Sequence, residues 1–331
     1  IGHIFASAGW DVRVGGNLGP PVLGFEPLDT KTICVLEMSS YQLELTPSLV
    51  FNAAVILNIS PDHLGRHGGI DGYIAAKRRI FADAPAAATA IVGVDDEHCR
   101  VLCTDLSRGG RHRVLVVSGR RRVAGGVFVS DGLLWDAISG EPKPILDLRQ
   151  ARALPGEHNG QNAAAAYAVA YAMDVPVHTA SEAILNFPGL AHRQERIAVV
   201  DQVTYVNDSK ATNGDAAARA LASYDRIYWI AGGRPKEDGL SATLPWLARV
   251  RCAFLIGEAE DAFARELDGK VPSVRCGNLA AAFAAAREAA AADMADDPVV
   301  LLSPACASFD QFRSFEARGD AFRAMVREIA R

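Results

Sequence analysis

Neither of the common glycine-rich phosphate cradles is written into these 331 residues: GxxxxGKS/T is absent, and so is GxGxxG. Long apolar runs are missing as well. The longest, Ala163 to Met173, is too short to cross a bilayer, so membrane insertion is not expected. Basic residues are not in excess. The formal net charge is −5, which leaves no footprint for nucleic acid. The six Arg between Arg108 and Arg122 sit among Gly and Ser before a strand-like run and read as a solvated hairpin region. The cysteines, Cys34, Cys99, Cys103, Cys252, Cys276 and Cys306, form no CxxC pair. Most lie in apolar runs, where a thiol packs as a small hydrophobe, and scattered Cys in a long α/β chain fit a reducing compartment. His98, Cys99 and Cys103 lack a second ligand pair and read as structural. No secretory leader is visible. The opening Ile1-Gly2-His3-Ile4-Phe5-Ala6 has no Met and a mid-helix pattern, so an amino-terminally truncated chain is expected.

What is present is an alternation of strands and helices. Half of the residues are hydrophobic and 22% are charged, and a chain of this length suits two domains. Thr32–Leu36, Ala53–Ile59 and Ala90–Val94 read as buried strands. Tyr73–Phe81 has helical spacing, Arg113–Trp135 suggests a small antiparallel meander, and Asn159–Met173 and Ala180–Asn186 read as helices. A break at Phe187-Pro188-Gly189 is followed by a hairpin, Ile197–Val200 against Val203–Val206. Strands at Ile227–Ala231, Ala253–Ile256 and Val299–Leu302 then alternate with helices at Glu258–Leu267, Leu279–Ala292 and Gly319–Ile329. The expectation is an α/β protein of two stacked domains with mostly parallel sheets, residues 1–189 and 190–331.

Polar residues gather at the carboxyl ends of these strands, where open α/β sheets bind ligands. The densest group is Asn207-Asp208-Ser209-Lys210-Ala211-Thr212-Asn213, between a strand and an Ala-rich helix. A plain connection needs only a turn residue and an N-cap. An acid and a base two apart cost solvation unless something anionic or hydroxylated sits between them. Glu37 and His63, each after a strand, suit a hard divalent cation such as Mg²⁺ or Mn²⁺ together with waters and phosphate oxygens. Taken singly, His63 reads as a hydrogen-bonded surface histidine and Glu37 as an N-cap acid. Asn159 reads as the N-cap of its helix, and Asn162 adds an amide suited to a purine edge. Gly15–Gly19 either presents Asn17 to a ligand or closes a tight turn.

These segments resemble the Mur ligases of bacterial cell-wall synthesis. The resemblance is carried by Gly16–Gly19, Glu37-Met38-Ser39-Ser40-Tyr41-Gln42-Leu43-Glu44, Asn58–His63, Tyr73–Lys77, Gly156–Asn159, His192-Arg193, Asn207–Asn213 and Ser303–Arg318, in the family's order along nearly the whole chain. The Asp208–Asn213 tract and the run from Ser303 to Phe312 resemble the branch that adds D-glutamate to UDP-N-acetylmuramoyl-L-alanine. The family has three domains. The resemblance implies a central ATPase domain, here without its first strand and phosphate loop, and a carboxyl-terminal Rossmann-like domain for the amino acid. It departs at Gly65, where the family usually has Asp.

The implied reaction is ATP-driven amide formation in the cytoplasm of a bacterium, by a monomer. The muramoyl-alanine carboxylate becomes an acyl phosphate, which the amine of D-glutamate attacks to give amide, ADP and phosphate. By resemblance, Glu37 and His63 hold Mg²⁺, and Lys77 is a carbamylated lysine that helps place the metal. Without the resemblance, Lys77 reads as an exposed helix lysine. Asn17, Ser39 and Gln42 are expected to position the muramoyl-alanine substrate, and Asn159 and Asn162 to meet adenine. Arg193 is expected at the phosphates, Asp208 at the ribose, and Lys210 near the phosphates or the acyl phosphate. Thr212, Lys236, Ser308 and Phe315 would form the D-glutamate pocket.

Two other readings compete. One is a different amino-acid ligase of this superfamily, such as a folylpolyglutamate synthase, against which Lys236 and Ser308–Phe315 argue. The other is a non-catalytic nucleotide-binding module, favoured by the missing phosphate loop. Without that loop the 331-residue chain alone is expected to show no ligase turnover. Amino-acid-dependent phosphate release above background by the purified chain would overturn this.

Overall fold

The computed structural model describes all residues except 27, 83–87, 237–238 and 294–296. The chain divides into two compact units, Ile1–Phe187 and Pro188–Arg331.

The first unit opens with α1 (Gly2–Ser7), β1 (Val12–Gly16), β2 (Ile33–Glu37) and α2 (Ser40–Leu45). It continues through β3 (Ala53–Ile56), α3 (Leu64–His67), α4 (Ile70–Arg78), β4 (Thr89–Gly93) and α5 (Glu97–Gly109). Strands β5 (Arg113–Ser118), β6 (Gly126–Ser130), β7 (Leu133–Asp136) and β8 (Lys143–Asp147) precede α6 (Glu157–Ala172) and α7 (Val177–Leu185). One six-stranded sheet has the order β3-β4-β5-β6-β7-β8, while β1 and β2 pair in parallel as a separate two-stranded sheet. Period-two alternation splits the core between the sheet's faces. On β4, Ile91 joins the cluster around α6, and Ala90 and Val92 join the one around α4 and α5.

Three expectations need correction here. The antiparallel meander begins at β6, not at Arg113, because β5 runs parallel to both β4 and β6. A parallel neighbour ordinarily needs a long crossover. A short connection suffices because β5 and β6 overlap by only three residue pairs, Val116 to Ser118 against Gly126 to Phe128. Strand β1 was hidden by its Gly15-Gly16 ending. The third concerns β2: its apolar run reads as buried on both faces, yet Cys34 is exposed and Ile33, Val35 and Leu36 are half-buried. Among the described residues β2 pairs with β1 alone and β3 with β4 alone, so each keeps one edge without a strand partner.

The second unit contains β9 (Glu195–Val200), β10 (Val203–Asn207), α8 (Gly214–Leu221), β11 (Ile227–Gly232) and β12 (Val250–Ile256). It closes with α9 (Glu260–Leu267), β13 (Ser273–Gly277), α10 (Leu279–Ala291), β14 (Val299–Leu302) and α11 (Phe315–Ile329). The strand order is β13-β12-β11-β14-β10-β9, parallel except for β9 at the edge. Ile227, Trp229 and Ala231 of β11 face one core layer, and Tyr228 and Ile230 face the other. Edge strand β13 went unread because its Ser-Val-Arg-Cys-Gly pattern is mostly exposed.

Helix α11 starts at Phe315 under the cap of Ser314, four residues before the expected start at Gly319. Gly319 lies inside it, and a Cβ there would stand 2.1 Å from Nδ1 of the buried His192. Alanine in an exposed helix position would stabilise by about 1 kcal/mol. Gly319→Ala is instead expected to destabilise by about 1–3 kcal/mol, read from denaturant unfolding.

Candidate active site

In the first unit, β1 and β2 end side by side, with Gly16 opposite Glu37. Asn17 donates its backbone N–H to the Glu37 carbonyl (2.8 Å) and its Nδ2 to Glu37 Oε1 (3.1 Å). Gly16 permits this approach: its φ is 108°, and a Cβ would meet the Glu37 carbonyl oxygen at 2.3 Å. Both Asn17 and Glu37 remain exposed. Ser39 and Gln42 form a capping box at the start of α2, with Gln42 Oε1 accepting from Ser39 N (2.9 Å). The same two side chains expected to position substrate therefore also hold this helix end.

His63 is exposed, with φ 52°, and its Nε2 lies 3.4 Å from the Asp62 carboxylate. Its ring meets Tyr41 edge-on at 5.2 Å. Tyr41 meets His67 at 5.5 Å, His67 meets Tyr73 at 5.4 Å, and Lys77 Nζ sits 4.9 Å over the Tyr73 ring. A ladder of rings on α2, α3 and α4 thus joins His63 to Lys77. Its central rung, His67, escaped sequence reasoning. Its side chain is fully enclosed, with Nε2 3.0 Å from Ser40 Oγ and Nδ1 3.0 Å from Glu44 Oε1. The readable signal was the spacing of Ser40 and Glu44, four apart on one helix face.

Asn159 is not a cap. Gly156, at φ 85°, turns the chain so that α6 begins at Glu157, and Asn159 lies within its first turn. Its Nδ2 donates to the Pro155 carbonyl (2.7 Å), and its Oδ1 accepts from Asn162 Nδ2 (3.2 Å). Beside them Asp95, another residue missed, accepts from Ser118 Oγ (2.6 Å), Gly119 N (2.8 Å) and Gln161 Nε2 (2.9 Å). It ties the ends of β4 and β5 to α6. No cluster of three or more His, Cys, Asp or Glu able to hold a metal is present among the described residues.

In the second unit, β14 lies between β10 and β11, so the loops after all three adjoin. Asp208 is 7% exposed. Its Oδ1 accepts from Gln194 N (3.1 Å) and its Oδ2 from Ser303 Oγ (2.8 Å). The hydroxyl that the sequence argument asked for at this acid is in part supplied by Ser303. Burial pushes the Asp208 carboxyl up to about 7, against the opposing pull of these two hydrogen bonds. Arg234 and Ala307 bridge the loops after β11 and β14. Asn207 Nδ2 reaches His192 Nδ1 (3.1 Å), Glu195 Oε2 (3.0 Å) and the Gly319 carbonyl (3.2 Å). Burial lowers the His192 pKa, so the neutral ring can accept from Asn207.

Lys210 donates its N–H to the His192 carbonyl (3.1 Å), and its Nζ lies 5.1 Å over the Phe315 ring. The fold thus brings together Lys210 and Phe315, expected from separate segments. Arg193 is exposed between two left-handed residues, His192 at φ 62° and Gln194 at φ 44°. Thr212 is half-buried and Lys236 is exposed. Ser308 is 2% exposed, and its Oγ has no partner among the described residues.

The Mur ligase middle domain matches residues 15–170, and the Mur ligase glutamate ligase domain matches residues 192–306. The chain belongs to the Mur ligase family. It is 51% identical to the UDP-N-acetylmuramoylalanine–D-glutamate ligase of Caulobacter sp. (strain K31), across 100% of this chain and 70% of that protein. Identity to the ligase of the same name from Rhodospirillum rubrum is 53%, across 100% of this chain and 69% of the relative. Among solved structures, MurF from Acinetobacter baumannii shares the fold at a TM-score of 0.66 and 18% identity, over 99% of this chain and 72% of that one. Mycobacterium tuberculosis folylpolyglutamate synthase does so at 0.60 and 19%, over 88% and 68%.

The domain boundaries of this Mur ligase separate its candidate residues. Asn17, Glu37, Ser39, Gln42, His63, Lys77, Asn159 and Asn162 fall in the middle-domain match, and Arg193, Asp208, Lys210, Thr212 and Lys236 in the glutamate-ligase match. Ser308 and Phe315 lie beyond it. Asp208 binds its proton more tightly folded than unfolded. Its contribution to stability is therefore fully present below the ordinary carboxyl pKa and is lost as pH rises through about 7. Between pH 5 and pH 8 the wild type is expected to lose about 2–3 kcal/mol relative to Asp208→Asn. Chemical unfolding of both proteins across that range checks it.

Proposed function

We propose that this Mur ligase joins D-glutamate to UDP-N-acetylmuramoyl-L-alanine through an acyl phosphate, in the synthesis of peptidoglycan precursors. The observation that carries the reading is the adjacency of the loops after β10, β14 and β11. Those loops hold the Asp208–Asn213 tract, Ser308 and Lys236. The identity to ligases named for this reaction supports it.

The physical difficulty of the reaction is crowded negative charge, since a triphosphate must meet a carboxylate. Fixed cations and hydrogen-bond donors aimed at the transferring phosphoryl group relieve it. Arg193, exposed and next to the His192 anchor, would take the phosphates with its fork of donors. Asp208 would meet the ribose, and the amides of Asn159 and Asn162 the adenine. Lys210 would steady the acyl phosphate. Thr212, Lys236, Ser308 and Phe315 would enclose the amino acid, with Lys236 paired to a carboxylate. Asn17, Ser39 and Gln42 would orient the muramoyl-alanine.

Mg²⁺ keeps several waters and phosphate oxygens and takes few protein donors. Glu37, exposed and steadied by Asn17, and His63, exposed on its left-handed turn, suit that manner of binding. No dedicated cage of three or more such ligands is present among the described residues. Bound there, the metal would neutralise phosphate charge. Lys77 would join them once its ammonium gives up one proton and the free amine takes up CO₂ and releases a second, which turns a cation into an anionic carbamate. Its present seat over the Tyr73 ring suits an ammonium, and carbamylation would remove that attraction and free the side chain.

The test uses the complete polypeptide that carries this sequence, with ATP, Mg²⁺ and UDP-N-acetylmuramoyl-L-alanine. Phosphate release is expected with D-glutamate and not with diaminopimelate, lysine or a folate acceptor. Lys77→Ala is expected to lose at least about a hundredfold in rate. Release independent of the amino acid would refute the ligase reading, and full activity of the variant would remove the carbamate.

A further inference from the structure

Arg318 is an anomalous charge within the second unit. It lies near the start of α11 and is 1% exposed. Its hydrogen bonds go to neutral acceptors. Nε donates to Ser209 Oγ (3.0 Å), and Nη2 donates to the carbonyls of Ser209 (2.9 Å) and Cys306 (3.1 Å). Nη1 has no partner among the described residues. Burial lowers the guanidinium pKa to about 10, with Cys306 and Asp310 acting in the other direction. A buried charge satisfied by carbonyls instead of a carboxylate is expensive, because its desolvation is not offset by an opposite charge in contact.

The grip of this side chain suggests why it is kept. Ser209 belongs to the tract after β10, one residue before Lys210. Cys306 belongs to the loop after β14, two residues before Ser308. Ser209 Oγ in turn donates to the Phe315 carbonyl (2.8 Å). One guanidinium and one hydroxyl thus tie together three segments that approach the same end of the sheet. Gly233, from the loop after β11, completes the packing. Its φ is 130°, and a Cβ there would stand 3.1 Å from Nη1 and 2.3 Å from the Ala307 carbonyl oxygen. Asp208, although next to Ser209, has anchors of its own in Gln194 and Ser303.

We propose that Arg318 is a positioning residue for the amino-acid pocket, fixing the backbones of Ser209 and Cys306 in one register so that Thr212, Ser308 and Phe315 face a dicarboxylic amino acid together. The proposal rests on the function argued above. It separates two effects. Loss of the clamp loosens the amino-acid residues and leaves the anchors of Asp208 on Gln194 and Ser303 in place. Lysine cannot replace it, because one ammonium has no fork to span two carbonyls and a hydroxyl.

The experiment is steady-state kinetics of the complete polypeptide, wild type against Arg318→Lys and Ser209→Ala, with folding checked by thermal unfolding. Arg318→Lys is expected to raise KM for D-glutamate by about tenfold or more, with KM for ATP changed by less than about twofold. Ser209→Ala, which keeps the guanidinium but removes the shared hydroxyl, is expected to raise KM for D-glutamate by about threefold. A folded Arg318→Lys protein with wild-type KM for D-glutamate would overturn the proposal, as would equal rises for D-glutamate and ATP. Should Arg318→Lys fail to fold, Ser209→Ala decides by the same two comparisons. If the wild type itself shows no dependence on D-glutamate, the assigned reaction falls and this inference falls with it.

Discussion

The chain reaches β14 last among the strands of its second unit, yet β14 is inserted between β10 and β11. The candidate site of that unit depends on this insertion. It brings Asp208 beside Ser303, 95 positions away in sequence, and sets the loop after β14 against the loop after β11. The backbone ladder continues past the strands to hold them. Asp208 N–H donates to the Leu302 carbonyl (2.7 Å), Ser303 N–H to Ile230 (3.2 Å) and Gly232 N–H to Pro304 (2.9 Å). Trp229, fully buried in β11, adds its indole N–H to the Ser303 carbonyl (2.7 Å). Each loop is thereby fixed at its first residue by an ordered strand, and only the residues further along have freedom to meet a ligand.

The first unit solves the same problem with side chains where strands are not available. The edges of β2 and β3 carry no strand partner among the described residues, so no ladder links Glu37 to His63. What the two sheets share is apolar packing: Val12, Ile33 and Val35 lie on the same core cluster as Ala53, Val55 and Leu57. The polar ends are then set by local devices. Gly16 lets Asn17 reach Glu37, the Ser39–Gln42 box fixes the start of α2, and His67 stitches α2 to α3 through Ser40 and Glu44. Ring contacts and single hydrogen bonds are individually weak.

This difference explains what could be read from residues alone. Strands such as Ile227–Ala231 and Val299–Leu302 are apolar throughout and bounded by turns, so their existence and parallel character were legible. The gathering of polar residues after them was legible for the same reason. Strand order was not, because nothing local in Val299–Leu302 states that it inserts beside β10. Nor could the buried partners be read. His67, Asp95 and Arg318 are polar residues whose roles depend on segments far away in sequence, and each reads singly as a surface side chain. The Cys34 strand shows the converse error. Its composition suits burial on both faces, but burial needs a neighbour on each side, and composition does not supply one.

The seven residues from Asn207 to Asn213 show how a tract can be both structural and chemical. Asn207, Asp208 and Ser209 point inward: they are buried and spend their polar groups on His192, Glu195, Gln194, Ser303 and Phe315. Asn213 caps α8 by accepting from Ala216 N–H (2.8 Å). Lys210 and Thr212, half-buried between these fixed ends, are the two polar side chains left at the surface of the turn. Burying an acid and an amide away from water is costly unless their polar groups find partners, and here the partners come from three other segments. The stiffness so obtained passes to the two residues between, whose backbone is pinned to His192 and Asp208 through the N–H groups of Lys210 and Ala211. A lysine held in this way loses little further freedom when an anion arrives, and that preorganisation is what a site for a developing negative charge requires.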